Sequence, residues 1–527
     1  MAVTRAARSG VSFSPLALLG GGAALIAALP LVGVVLAALD GPGADIAWRD
    51  IGRYALTSFW LALLVGVTTA TVGTLAAWLV VMYRFPGRRL FGWALALPLA
   101  APGFVLAYAY GDLLDPAGPV RIALRAAGAD LPVGVRSLAG ATFVLSCAFY
   151  PYVFLAMRAA FLSQSVSALE AARSLGCSER RAFFRVALPL ARPALAAGVA
   201  LAVMETLADY GAVQFLSVQT LTTGVVRAWS VYNSTASAAR FALPLLAAAA
   251  FLLWLERRGR NGSSADGARA RWREVPVQSL GGLRAVFASL FCGALLFTAL
   301  LLPVGWLIWR ARLFTPEWGR LGQAAVHSVS LGVIGAVLTV ALATALALGA
   351  RRFPQASRIA SLGYATPGAV MAVGLLVPAA LVWRLAEGAS LFWVSVVLLL
   401  YAYAARLMAA ALEPIDAGLQ RVSPNLVWAA RSLGRTETRA AAAVELPIAR
   451  PAMLTAALLV FVDIVKELPA TLILRPFNFD TLAVIANAYA LDERLGQAGW
   501  PSLLILCLSL PVVLVLSRQI ADARPGA

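Results

Sequence analysis

Long apolar runs alternate with short polar segments along almost the whole chain. A helix needs about 20 mostly apolar residues to cross a bilayer, and twelve runs meet that requirement. The predicted spans lie at 15–39, 55–82, 90–113, 138–162, 194–216, 239–255, 285–309, 326–350, 359–384, 390–412, 452–474 and 499–517. A polar connector that contains the stretch Asn261–Gly267, with two glycines and two serines, follows the sixth span. The pattern predicts an all-α integral membrane protein with a first module at 1–256, a linker at 257–284 and a second module at 285–527.

The composition and the charge agree with a membrane protein. Hydrophobic residues make up 61% of the chain and charged residues 13%, against roughly 25% charged in soluble domains. The net charge of +18 does not require a nucleic-acid partner, because excess arginine on one side of a membrane is the usual topology signal. The arginines cluster in alternate loops, which places both termini in the cytoplasm. The four cysteines show no metal or disulfide spacing.

One polar segment occurs twice. The first copy is Glu170–Gly176 and continues to Pro189, and the second is Trp428–Gly434 and continues to Pro447. Both starts and both prolines are separated by 258 positions. Six spans per half is an even number, so the two copies have the same orientation. An axis along the membrane normal should therefore relate the two halves.

Each repeated loop predicts two short helices. Gly176 and Gly434 are natural helix stops. Ser178 and Thr436 can cap the helix that follows, and the second helix of the first copy is expected to end before Pro189. The simpler interpretation is an amphipathic connector, but matched spacing in two copies favours a docking element.

Two pairs of acids lie inside the spans that follow the loops. Glu205 and Asp209 are four residues apart, as are Asp463 and Glu467, so each pair shares one helical face. Ionisable groups at membrane depth are costly and usually mark function. Gly211 and Pro469 follow and can break the helix, and broken helices tend to line a pathway. The predicted pathway residues are Glu205, Asp209, Gly211, Asp463, Lys466, Glu467 and Pro469, with the four acids as transient metal contacts. The alternative is that these groups simply pair within the bundle, and Lys466 could neutralise Asp463.

The repeated loop resembles the Glu-Ala-Ala loop of ABC importer permeases. The resemblance implies two tandem six-helix modules of the type I importer fold, each docking one subunit of a cytoplasmic ATPase dimer. The docking residues it implies are Glu170, Ala171, Ala172, Gly176, Leu188, Pro189, Trp428, Ala429, Ala430, Gly434, Leu446 and Pro447. Trp428 stands where the family has glutamate. Lys466 is the only lysine, so the chain has no phosphate-binding loop and cannot be the ATPase itself.

Two longer stretches are similar to ferric-iron permeases. The first half contributes 207–215 together with 222–229, and the second half contributes 466–483. The similarity implies a bacterial inner-membrane permease that takes ferric iron from a periplasmic binding protein, with ATP bound by the partner ATPase and no cofactor or nucleic acid on this chain. Related fused permeases for thiamine and phosphonates share the loop, so these substrates stay open. An ion-coupled secondary transporter, with the carboxylates as proton sites, is the remaining alternative.

Overall fold

The computed structural model describes residues 15–40, 48–130, 133–163, 177–260, 278–350, 355–385 and 390–522. The helices of the first half are α1 (Pro15–Leu39), α2 (Trp48–Met82), α3 (Arg88–Ala94), α4 (Gly103–Leu114), α5 (Pro119–Ala126), α6 (Leu138–Ser163), α7 (Glu179–Ala182), α8 (Leu188–Leu190), α9 (Arg192–Ala208), α10 (Gly211–Phe215), α11 (Leu221–Ser230) and α12 (Thr235–Arg260). A 3₁₀ turn at Leu97–Ala100 lies between α3 and α4.

The second half repeats this order. Its helices are α13 (Gly282–Leu296), α14 (Leu302–Ala311), α15 (Trp318–Ala350), α16 (Gln355–Ala365), α17 (Gly368–Leu385), α18 (Leu391–Gln420), α19 (Pro424–Ser432), α20 (Glu437–Ala440), α21 (Leu446–Val465), α22 (Pro469–Leu474), α23 (Leu482–Leu491) and α24 (Leu495–Asp522). Strands β1 (Tyr83–Arg84) and β2 (Gln278–Ser279) pair in parallel and join the end of α2 to the start of the second half. Most of the predicted linker, 261–277, lies outside the described residues.

Within the described residues, nine helices are long and apolar enough to cross a membrane, and three bent pairs bring the number to twelve. All twelve predicted spans fall on these segments, so the all-α membrane fold is confirmed. The predicted spans 90–113 and 359–384 are bent pairs, with angles of 91° and 111°. Each bend lies at a Pro-Gly pair, because proline has no N–H to continue the helical hydrogen bonds.

The first span of each half reaches across to the other half. Helix α1 packs against α15, α16 and α17, and also against α12. The α13–α14 segment packs against α3 and α4 of the first half as well as α24. Where α14 packs against α4, the Asp112 carboxylate accepts a hydrogen bond from Trp306 Nε1 at 2.8 Å and pairs with Arg310 Nε at 2.6 Å. The two halves are therefore interlocked.

Three π-helical turns each precede a Leu-Pro pair. They are Phe183–Ala187, Phe297–Leu301 and Ala441–Glu445. The prediction that the helix of the first loop ends before Pro189 is wrong, because α8 includes that proline. The wider π turn changes the hydrogen-bond register next to the proline, which itself has no N–H to donate. In the second half the helix likewise continues through Pro447 into α21.

Helices α11 and α23 are absent from the twelve-span prediction. Thr220 and Thr481 cap them, each accepting a hydrogen bond from the backbone three residues later. Helix α10 and the turn to α11, like α22 and the turn to α23, lie at the end of the bundle away from α7, α19 and α20. We name the end that carries α7, α19 and α20 the loop face, and the other end the opposite face.

Candidate functional site

Both spans that carry the acids break at the same place. Helix α9 ends at Ala208 and α10 begins at Gly211, while α21 ends at Val465 and α22 begins at Pro469. The predicted interruptions are confirmed, and each break starts a few residues before the glycine or proline. After each break the chain continues as a short helix toward the opposite face.

Asp209 and Glu467 cap the short helices that follow the breaks. Asp209 Oδ1 accepts hydrogen bonds from the N–H groups of Ala212 (2.8 Å) and Val213 (3.3 Å). Glu467 Oε1 accepts a hydrogen bond from the N–H of Ala470, and Glu467 Oε2 accepts one from the N–H of Thr471, both at 3.1 Å. The first N–H groups of a helix lack partners inside it, so these carboxylates stabilise α10 and α22.

A glycine from the repeated Pro-Gly pairs lies against each capping carboxylate. A Cβ on Gly103 would lie 2.8 Å from Asp209 Oδ2, and one on Gly368 would lie 2.2 Å from Glu467 Oε1. The start of α4 or α17 thus approaches the cap of its own half so closely that a larger residue would displace it. This explains in physical terms why the Pro-Gly motif is present in both halves.

Two cations lie among the acids of the second half. Lys466 Nζ is 2.8 Å from Asp463 Oδ1, and Arg406 Nη1 is 3.5 Å from Glu467 Oε1. The Glu467 side chain is only 1% exposed, which makes such pairing important for its charge. Sequence reasoning missed Arg406, although an arginine inside a predicted span was a visible signal. The suggested pairing of Lys466 with Asp463 is present.

Glu205 differs from the other three acids. It has no hydrogen-bond or ion-pair partner within the part of the chain that the structure describes. Its side chain lines a cavity of about 80 Å³ together with Asp209, Arg406, Asp463 and Lys466. Four carboxyl groups and two cationic side chains thus line this small cavity. All four predicted acids line this cavity where the two halves meet, but among the described residues no three of them are close enough together to hold a metal ion.

A second, wider cavity extends from this site to the loop face. Its volume is about 740 Å³, and it shares Tyr152, Asp463 and Lys466 with the small cavity. Its walls reach Gln420, the last residue of α18, so it leads toward the docking loop. At the break of the first half, the start of α10 packs closely against α4 and against the second half. A Cβ on Gly211 would lie 2.7 Å from Phe104 Cβ and 2.8 Å from Leu468 Cδ2.

The second docking loop is described in full, and the first only from Cys177. Glu170, Ala171, Ala172 and Gly176 lie outside the described residues. In the second loop, Gly434 adopts φ +82° and ends α19, and Thr436 caps α20, as the sequence predicts. Trp428 and Leu433 are 72% and 84% exposed. Ala429 is exposed and Ala430 is buried, while Leu188, Pro189, Leu446 and Pro447 are half-buried.

Paired broken helices around a central charged cavity, in a bundle with up to twelve spans, define an integral membrane permease. The chain belongs to the family of binding-protein-dependent transport system inner membrane components, whose characteristic sequence matches residues 53–257. It is therefore a multi-pass protein of the inner membrane.

Three relatives show how the similarity is distributed. The Fe(3+)-transport system permease protein FbpB 2 of Haemophilus influenzae is 25% identical over 475 residues, which covers 87% of this chain and 89% of that protein. The sulfate transport system permease protein CysT of Escherichia coli is 30% identical over 198 residues, 37% of this chain and 70% of that protein. The molybdenum transport system permease protein ModB of the same species is 29% identical over 178 residues, which covers 32% of this chain and 71% of that protein.

Proposed function

We propose that the chain is the membrane subunit of an ATP-driven importer that moves ferric iron into the cytoplasm. A periplasmic binding protein would deliver the iron, and a cytoplasmic ATPase dimer would bind and hydrolyse ATP. The observation that carries the proposal is the meeting of two equivalent broken spans at one cavity lined by four carboxyl groups. The similarity to the Haemophilus influenzae protein supports iron as the cargo, because it extends over both halves.

The second loop supports an ATPase partner at the loop face. Trp428 and Leu433 expose large apolar side chains on a segment outside the membrane spans. Buried aromatic anchors carry much of the affinity of protein interfaces, and an exposed one calls for a covering partner. The equivalent first loop would dock the second ATPase subunit, through Glu170, Ala171, Ala172 and Gly176. The arginine-rich segments of the loop face favour a cytoplasmic orientation of both loops and both termini.

The four carboxyl groups that line the small cavity favour a cation in the pathway. Ferric iron is a hard cation, and hard cations prefer oxygen ligands. Asp209 and Glu467 cap helices, whereas Glu205 lines the cavity beside Arg406 and Lys466. Contacts along a pathway must be weak enough to release the ion, so these acids would bind iron transiently. Gly211 and Pro469, which begin the short helices after the two breaks, would shape the path next to these acids.

Uptake of labelled ferric iron tests this assignment, in cells that lack other iron importers. Glu205→Gln should lower uptake several-fold at an unchanged amount of protein in the membrane. Asp209→Asn combined with Glu467→Gln should also lower uptake, with some loss of protein because both caps weaken. Asp50→Asn, at an acid that is 46% exposed, is the matched control. Undiminished uptake in both pathway variants would exclude the site.

ATPase docking is tested separately. The purified chain should not hydrolyse ATP alone. A Gly176→Trp, Gly434→Trp double variant should insert into the membrane but lose ATPase binding and uptake. Normal uptake by that variant would remove the docking proposal while leaving the cargo question open.

A second candidate cargo is an oxyanion. Arg406 and Lys466 line the small cavity, and the buried Nε of Arg406 has no hydrogen-bond partner among the described residues. The similarity to sulfate and molybdenum permeases favours the same alternative. Parallel uptake of labelled sulfate and molybdate distinguishes the two: an anion-importing chain would lose uptake in Arg406→Gln and keep it in Glu205→Gln.

A further inference from the structure

Arg136 joins the two halves at the opposite face. It lies just before α6, where its Nε is 3.0 Å from Asp115 Oδ2 of the first half. Its Nη2 is 2.8 Å from Glu493 Oε1 of the second half, directly after α23. One guanidinium therefore holds a carboxylate from each half, which is the planar, two-sided pairing that arginine allows.

The same guanidinium also lies over the aromatic ring of Phe215. Arg136 Cζ lies 5.1 Å from the centre of the Phe215 ring, at the end of α10. That ring meets Tyr108 edge-on at 5.1 Å, and Tyr108 donates a hydrogen bond to Asn487 Oδ1 at 3.1 Å. Asn487 belongs to α23, so a second contact between the halves lies beneath the first.

The position of these contacts relates them to the state of the pathway. The wide cavity extends from the small cavity to the loop face, while the contacts of Arg136 with Glu493 and Phe215 lie at the opposite face. Phe215 lies on the short helix that Asp209 caps, so a movement of that helix would alter the contact with Arg136.

We propose that the Asp115–Arg136–Glu493 bridge is a latch that favours the conformation open to the loop face. The inference rests on the proposed importer function. The three side chains are between 29% and 59% exposed, and ion pairs of this kind contribute modestly. The latch therefore shifts the equilibrium between the conformation open to the loop face and the conformation open to the opposite face by about two- to five-fold. A shift of this size is in keeping with the small free energies of such ion pairs. In the complete transporter, docking of the loaded binding protein would have to open it.

The test measures ATPase activity of the permease assembled with its ATPase in lipid nanodiscs, with and without the binding protein. Glu493→Gln breaks the contact between the halves and should raise the rate without binding protein by about two- to five-fold, following the bias above. Arg136→Gln should do the same, and in both variants the stimulation by binding protein should shrink. Melting temperatures, measured in parallel, should stay within a few degrees of the native complex.

Asp130→Asn is the control. Asp130 pairs with Arg121 and Arg125 at 2.7 and 3.2 Å in the same part of the first half. The ATPase rate of the complex with Asp130→Asn should match that of the native complex. If Glu493→Gln behaves like Asp130→Asn, the latch is overturned although the importer proposal stands. If the native complex shows no stimulated ATPase activity, it is the proposed function that fails.

Discussion

Gly33 of α1 and Gly374 of α17 lie in backbone contact across the two halves. A Cβ on Gly33 would come within 1.9 Å of the Gly374 carbonyl oxygen, and one on Gly374 within 2.0 Å of the Pro30 carbonyl oxygen. Gly20 and Gly349 form a similar contact nearer the start of α1. Small residues let helices in a membrane approach closely, and van der Waals packing then holds them together. The first span is thus attached to the second half largely through glycine.

Gly374→Ala should weaken this attachment. Overpacking of a close contact typically costs about 1–3 kcal/mol, and here the obstacle is backbone that cannot rotate away. Thermal unfolding of the purified protein in detergent measures the loss. Gly22→Ala is the control, since a Cβ there meets nothing within 4 Å. Equal melting temperatures for the two variants would contradict the close approach.

Ser58 and Ser328 hold the two helices that sequence patterns did not reveal. Each buried hydroxyl accepts a hydrogen bond at 2.8 Å from the first N–H of a short helix, Leu221 for Ser58 and Leu482 for Ser328. Ser58→Ala should leave the Leu221 N–H without its partner, at a cost of about 1–3 kcal/mol. Hydrogen exchange should then quicken at the start of α11 and not at α23.

Ser328→Ala should give the reverse result, so each variant serves as a control for the other. Thr57→Ala adds a second control, because that exposed hydroxyl bonds back to the Arg53 carbonyl of its own helix. Faster exchange in both halves from one substitution would mean that the serines act through general stability instead.

The sequence predicted those features that depend on local patterns. Apolar runs revealed the twelve spans, and the 258-residue repeat revealed the equivalence of Asp209 and Glu467. The breaks near Gly211 and Pro469 followed from the low helix propensity of glycine and from the missing N–H of proline. Gly434 and Thr436 ended and restarted the loop helices as their types predict.

Features set by distant contacts could not be predicted in the same way. Helices α11 and α23 are only ten residues each, too short for the span criterion, and they depend on Ser58 and Ser328 from another helix. The crossing of α1 to the second half arises from glycines more than 300 positions apart, such as Gly33 and Gly374. The capping role of Asp209 was hidden because the pattern placed it inside a continuous span.

Gly103→Ala and Gly368→Ala should disturb the capping carboxylates. A methyl group at Gly368 would collide with Glu467 Oε1, and one at Gly103 would crowd Asp209 Oδ2. Loss of a helix cap costs about 0.5–2 kcal/mol, so both variants should unfold at lower temperature and transport more slowly. Gly92→Ala is the matched control, since its nearest neighbour would be 3.7 Å away. Native uptake in Gly368→Ala would show that Glu467 can leave its cap without consequence.

Trp428→Ala and Leu433→Ala separate docking from folding. Both side chains are largely exposed, so their removal should change the melting temperature little. If the ATPase covers them, each truncation should weaken binding about tenfold or more, which corresponds to at least 1.4 kcal/mol and is typical of interface anchors. Affinity is measured between the permease in nanodiscs and its isolated ATPase subunit. Trp393→Ala is the control, because this tryptophan is 64% exposed but lies near the start of α18, at the opposite face. Equal affinity for the Trp428 and Trp393 variants would place the ATPase contact elsewhere on the loop.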